Sequence, residues 1–193
     1  VRARHGRDRP HYGLGVVLAA TGRSVEATTA YDQLNRAVRV TSPLGKVTRT
    51  AYDGEGNVIS VTDPLGNTET SEYDALGRKV AHTTARGKRS TTVYDPAGNV
   101  IESRSPAGGV TKFSYDDDDR LTAKIEPRGN VAGATPSDYD WLYTYDAAGN
   151  QRTAADPLGN VTTTNFDAND NKVSVTDANS RSTLFVFDQE NQL

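Results

Sequence analysis

The chain has 193 residues, 35% of them hydrophobic and 24% charged, with a mean hydropathy of −0.66, so a thick apolar core is excluded and the fold must be thin, hollow or extended. The formal net charge is −3, and beyond the crowded Arg2, Arg4, Arg7 and Arg9 the charges are mixed, which leaves no basic stripe for nucleic acid. Cysteine and methionine are absent, so disulfides, thiolate chemistry and metal thiolates have no residues to use.

Residue 1 is Val, which reads as the start of a piece of something longer. The run Leu14 to Ala20 behind the arginines has the outline of a signal peptide, but it is short and broken by Gly15. Residues 1–30 are therefore read as a degenerate first repeat or an ill-ordered basic N-terminal segment. No stretch reaches the roughly 20 apolar residues that a membrane-spanning helix needs.

From Tyr31 the chain is periodic. Tyr-Asp recurs at Tyr31, Tyr52, Tyr73, Tyr94 and Tyr115 in steps of 21 residues; Tyr145 follows 30 residues later, and the 21-residue step resumes at Phe166 and Phe187. One unit therefore carries a nine-residue insertion. The aromatic residue is always followed by Asp, a residue whose carboxylate caps backbone amides two positions on. Three residues after each Asp stand Asn35, Gly56, Gly77, Gly98, Asp119, Gly149, Asp170 and Asn191, the residue types that tolerate positive φ. This pattern predicts a hairpin loop made of a type I turn closed by a left-handed bulge residue.

A second turn is expected midway through the unit. Ser42-Pro43-Leu44-Gly45, Asp63-Pro64-Leu65-Gly66, Ser105-Pro106-Ala107-Gly108 and Asp156-Pro157-Leu158-Gly159 each set Pro after a capping oxygen and Gly two residues further on. Between the turns there is room for two strands of about five or six residues. In the first strand Val38 and Val40, Ile59 and Val61, and Val173 and Val175 alternate with polar residues, as in a half-buried strand. The second is Thr-rich and ends in the aromatic residue, so stacked hairpins would set like residues side by side in ladders. The expected fold class is all-β: tandem 21-residue β-hairpin repeats over residues 31–193, forming a curved antiparallel β ribbon with an inserted loop near residues 131–141.

The pattern Tyr-Asp-x-x-Gly-[Asn/Arg]-x-[Val/Ile], then Asp-Pro-x-Gly-x-x-Thr and the next Tyr-Asp, nearly complete from Tyr52 to Asp74, resembles the Rhs/YD-repeat family of bacterial polymorphic toxins, toxin-complex subunits and teneurins. The resemblance covers Tyr31 to Leu193. It implies that the ribbon is part of a hollow shell, a non-catalytic structural segment that encloses or presents a toxin domain in a secreted or cell-surface bacterial protein. The implied partners are adjoining YD repeats of the same longer chain and an encapsulated toxin domain. The family's terminal self-cleavage segment has no match here, and the Asp-Pro-Leu-Gly stretches at Asp63 and Asp156 read as mid-repeat turns.

The candidate sites are few. His5, His11 and His82 are scattered, with no partner at ligand spacing. Asp116 to Asp119 has carboxylates for Ca²⁺ but not the alternating ligands and terminal Glu of an EF-hand loop, and it occupies the ordinary turn position. No nucleophile elbow or phosphate loop occurs, and every singled-out Asp recurs in phase, as turn residues do and a catalytic residue does not. An enzyme is therefore not expected, and no cofactor or metal is implied. The insertion holds Tyr139 and the only Trp, Trp141. They are the candidate contacts for a carbohydrate or surface receptor, which is the alternative function; against it, Trp141 is read as starting the next strand and packing on a neighbour.

Overall fold

The structure, a computed structural model, describes residues 11–18 and 24–187. It divides into two compact units, one ending at Arg89 and one beginning at Ser90. The first holds β1 (His11–Leu18), β2 (Ser24–Tyr31), β3 (Ala37–Thr41), β4 (Val47–Tyr52), β5 (Val58–Thr62), β6 (Thr68–Tyr73) and β7 (Lys79–Thr83). β8 (Arg89–Tyr94) starts on its last residue. The second unit continues with β9 (Val100–Arg104), β10 (Val110–Tyr115), β11 (Leu121–Ile125), β12 (Asp140–Tyr145), β13 (Gln151–Ala155), β14 (Val161–Phe166), β15 (Lys172–Thr176) and β16 (Ser182–Leu184). Within each unit every strand pairs antiparallel with the next in the chain, so the chain is an all-β meander of hairpins. Among the described residues there is no α-helix, and no helix long and apolar enough to cross a membrane. In the first thirty residues, β1 and β2 form a hairpin pairing His11 with Tyr31 and Leu18 with Ser24.

Both turns of the unit have the predicted geometry, and they are the same turn. After the aromatic residue, the Asp53 N–H donates to Asn57 O at 3.0 Å and the Gly56 N–H to Asp53 O at 3.3 Å; midway, Asp63 and Asn67, then Gly66 and Asp63, repeat the two bonds at 2.9 and 3.0 Å. The left-handed residue is present in each: Asn35, Asp119 and Asp170 at φ 61°, 61° and 63°, and Gly56, Gly77, Gly98 and Gly149 between 73° and 108°. Asn191 lies outside the described residues. The midway turn does not need proline, because Thr84 to Gly87 and Asp177 to Ser180 close it with the same bonds.

An odd repeat of 21 residues should flip successive tyrosines to opposite faces, since side chains alternate along a strand. A β-bulge in each unit prevents this. Tyr52 lies opposite Val58 while Ala51 lies opposite Ser60, so Ile59 is an extra residue on its strand; the same shift recurs after Tyr31, Tyr73, Tyr94, Tyr115, Tyr145 and Phe166. One residue per unit is thereby absorbed, and within each unit the aromatic residues keep to one face.

Burial differs from the expectation at several of the aliphatic positions. Ile59 and Val61 are each 37% exposed and Val40 is 43%, whereas the small Ala30 and Ala81 are 5% and 3% exposed and are the only buried hydrophobic residues described. The reading as a half-buried strand is thus corrected for Val40, Ile59 and Val61, while Val38, Val173 and Val175 are half-buried as expected. With no second layer packed on the strands among the described residues of either unit, neither face becomes a core, and hydrogen-bonded ladders and turns carry the structure instead.

Candidate functional site

The features repeated from unit to unit sit in the turns and in the aromatic column. Most turn carboxylates work three ways. Asp32 Oδ1 accepts from the amides of Leu34 and Arg36, both at 2.9 Å, and its Oδ2 accepts from Arg36 Nε at 2.7 Å. Where the fifth turn residue is Asn, its side-chain amide replaces the guanidinium, as Asn57 does for Asp53 at 2.9 Å. These donors favour the charged carboxylate. Asp53 and Asp167 are held below the ordinary Asp range chiefly by the side-chain amides of Asn57 and Asn171, Asp116 by the Arg120 side chain, and Asp32 by the backbone amide of Arg36.

The sign of the pH effect follows. A carboxyl whose folded value is depressed contributes stability above its unfolded value, about 3.9, and loses it as pH falls through the depressed value. The melting temperature is therefore expected to hold from neutral pH down to about pH 5 and to fall steeply below about pH 4, as many in-phase turns lose their acceptor together. Melts followed by circular dichroism across this range check it, and a flat profile down to pH 3 would count against the turn carboxylates as stabilising groups.

The tyrosine column connects one unit to the next. Tyr52 OH donates to Ala37 O at 3.2 Å, Tyr73 OH to Val58 O at 3.0 Å and Tyr115 OH to Val100 O at 3.0 Å. In each case the acceptor is the first strand residue after the preceding unit's Asp turn. Tyr145 OH reaches Leu121 O at 2.9 Å, so the contact survives the insertion. Each such bond is worth about 1 kcal/mol net. Phe166 keeps the ring and lacks the hydroxyl.

The turns are also linked. Arg36 donates to Asp53 O at 3.0 Å and lies 4.7 Å from the centre of the Tyr52 ring; Arg120 stands 5.1 Å from the Tyr145 ring. Where the left-handed residue is Asp, the Asn of the preceding unit donates to it: Asn99 to Asp119 at 2.6 Å and Asn150 to Asp170 at 2.7 Å. A side chain costly in that backbone conformation is retained with a bond of its own. The acidic run Asp116 to Asp119 is committed in the same way, with Asp116 and Asp118 paired to Arg120 at 2.8 and 3.1 Å. No group of three His, Asp or Glu side chains placed to hold a metal ion occurs among the described residues.

The insertion is a folded knob rather than a loose loop. Glu126-Pro127-Arg128-Gly129 is one more midway turn, with the Gly129 N–H donating to Glu126 O at 2.9 Å. The closing bond from the Glu126 N–H reaches Tyr139 O at 3.0 Å, so the nine residues between Gly129 and Tyr139 are the insert. Two 3-10 turns, Pro127–Asn130 and Pro136–Tyr139, shape it. The Asn130 amide group pins it by donating to the carbonyls of Val110, Ile125 and Glu126 at 3.0 to 3.2 Å. Gly129 is buried beneath Tyr139 and Ile125. Trp141 lies beyond the insert, in β12 opposite Lys124, which in turn faces Phe113 on β10. Trp141 is half-buried on the face that carries the tyrosines, where other units have Thr48, Glu69, Thr111 or Thr162. The structure thus separates the two candidate contact residues: Tyr139 closes the turn and Trp141 belongs to the strand.

The sequence model of the RHS Repeat family matches residues 31–68, 52–89, 94–131 and 145–182, more than half of the chain. The chain belongs to the RHS repeat family. The matches pass over part of the insertion, leaving residues 132–144 outside them. No curated protein matches the sequence. Among solved structures, a mutant TccC3 form of the Photorhabdus luminescens Tc holotoxin pore is similar at 15% identity and a TM-score of 0.48, over 88% of this chain and 12% of that one. The TcdB2-TccC3 crystal structure is similar at 15% identity and a TM-score of 0.47, over 95% of this chain and 12% of that one. The chain thus spans about an eighth of the length of the structures it matches.

Proposed function

We propose that this RHS array is a wall segment of a hollow shell in a secreted or surface-exposed bacterial toxin-like protein, with no catalytic activity of its own. Its partners are adjoining repeats of a longer chain and a toxin domain that they enclose. The observation that carries this reading is the handing-on of contacts: a unit offers a carbonyl to the tyrosine of the next, and at Arg36, Asn99 and Asn150 a guanidinium or amide to the next unit's turn. Such a structure is stabilised by nearest neighbours and extends by adding units, as a wall must. Exposed Leu44, Leu65 and Leu158 at the same position of three midway turns agree with further protein beyond these units. Electron microscopy of the longer protein that carries these repeats tests the proposal. A closed wall around a protease-protected segment is the expected result, and a ribbon enclosing nothing would sink it.

A second reading has one observation in its favour. Phe113, Lys124 and Trp141 form a cross-strand row on the tyrosine face, with Tyr143 two residues beyond Trp141, and aromatic rings beside a cation suit a carbohydrate. Trp141 emission during titration with oligosaccharides checks it, and an unchanged spectrum with every sugar would remove it.

A further inference from the structure

Arg39 on β3 and Arg49 on β4 are directly opposed in register, on the face away from the tyrosines. Both are exposed. Cross-strand partners have Cβ atoms about 4.5–5.5 Å apart, a distance at which like charges repel, and a guanidinium cannot shed its charge by losing a proton. The arginines that close the Asp turns are given carboxylates: Arg36 to Asp32 and Arg78 to Asp74 at 2.7 Å, Arg120 to Asp116 at 2.8 Å. Arg39 and Arg49 have no ion pair with any described residue. Hydroxyls surround them instead. Arg39 lines a 230 Å³ depression with Thr28, Thr41 and Ala30, and Thr62 is the register partner of Arg49 on its other side.

We infer that Arg39 and Arg49 form a binding site for a tetrahedral oxyanion of the phosphate or sulfate class, held between two guanidinium groups with Thr28 and Thr41 as hydroxyl donors. A dianion cancels the repulsion that the sheet register enforces, and planar forks pair with its oxygens two at a time. The position is rigid because every member stands on a paired strand rather than a loop. The depression suits a single anionic group, and its only apolar lining residue is Ala30, which leaves little to anchor a protein side chain.

The test is calorimetric titration of the whole chain with inorganic phosphate at low ionic strength, against sodium chloride of equal ionic strength. One phosphate per chain is expected, with affinity falling as salt rises. Arg39→Gln and Arg49→Gln should each weaken binding about tenfold, the loss of one charge-assisted pair, while Lys46→Gln makes the same change of charge at a turn and should leave binding unchanged. In chloride alone both arginine variants should melt above the parent, because the repulsion is gone, which also shows that they fold. Sulfate binding as well as phosphate supports a site for either ester; phosphate binding alone supports the same site restricted to phosphate. Phosphate no better than chloride, equal binding by the arginine variants, or binding of polyglutamate without phosphate would overturn the inference.

Discussion

Gly129→Ala is expected to destabilise the protein by about 2–3 kcal/mol, although alanine is the smallest possible addition and the site lies beside an insertion. A Cβ at residue 129 would stand 2.8 Å from Tyr139 Cβ, 2.9 Å from Ile125 Cγ2 and 3.3 Å from Pro136 O. Tyr139 Cβ and Pro136 O belong to rigidly placed backbone, so relief requires the insert to lift away from β11 rather than a side chain to rotate. That movement would strain the bonds of Asn130 to Val110, Ile125 and Glu126 and shift the entry into β12. Thermal melting measures the cost, and Trp141, as the only tryptophan, reports the local change through its emission. Gly133→Ala is the comparison. Gly133 has φ +81°, and a Cβ there would have nothing within 4 Å, so the change should cost only about 1 kcal/mol of left-handed strain and leave the emission unchanged. Equal, small effects at both glycines would mean that the insert is not the pinned knob described above.

The same insert shows where sequence reasoning reaches and where it stops. Its length is legible from the 30-residue step between Tyr115 and Tyr145, and a loop near residues 131–141 overlaps it, although Tyr139 and Trp141, which stand out as aromatics, lie past its end. The signal that locates it is Glu126-Pro127-Arg128-Gly129, a midway turn motif with glutamate in place of the capping residue; the new residues follow it. The turns themselves are readable because a left-handed backbone accepts few residue types, and Asn35, Asp119 and Asp170 stand among glycines at that position. The bulge is hidden for the opposite reason. Val38, Ile59, Thr122 and Arg152 all occupy it, so it has no compositional mark, and only the odd length of the repeat betrays it. Ile59 and Val61 are exposed for a different reason, since no second layer covers the strands that carry them. The hydroxyl of the repeated tyrosine carries no sequence signal at all, since its acceptor is a backbone carbonyl 15 residues earlier that only the register identifies.

Replacement of Gly77 by valine should cost about 2–3 kcal/mol, whereas Leu76→Val at the adjacent turn position should stay within about 0.5 kcal/mol. Gly77 has φ +73°, where a β-branched side chain clashes with its own backbone whatever space surrounds it. Space is not the obstacle, since the nearest atom to a Cβ there is Asn57 Oδ1 at 3.6 Å, an ordinary contact. Leu76 is largely exposed and contributes only its amide to the turn, donating to Asp74 Oδ1 at 3.0 Å, a bond that valine retains. The neighbour that makes valine merely crowded makes aspartate welcome. Asn57 stands to residue 77 as Asn99 stands to Asp119 and Asn150 to Asp170, both of which donate across one unit to a left-handed aspartate. Gly77→Asp is therefore expected to lose no more than about 1 kcal/mol, with Asn57 swinging its amide onto the new carboxylate. In the double variant Gly77→Asp with Asn57→Ala the loss should exceed the sum of the two single changes, because the new carboxylate is then left without its donor. Melting of the full set decides it. If valine and aspartate at residue 77 cost the same, the contact between these successive turns carries no energy, and the strand ladders and tyrosine hydroxyls join the units without it.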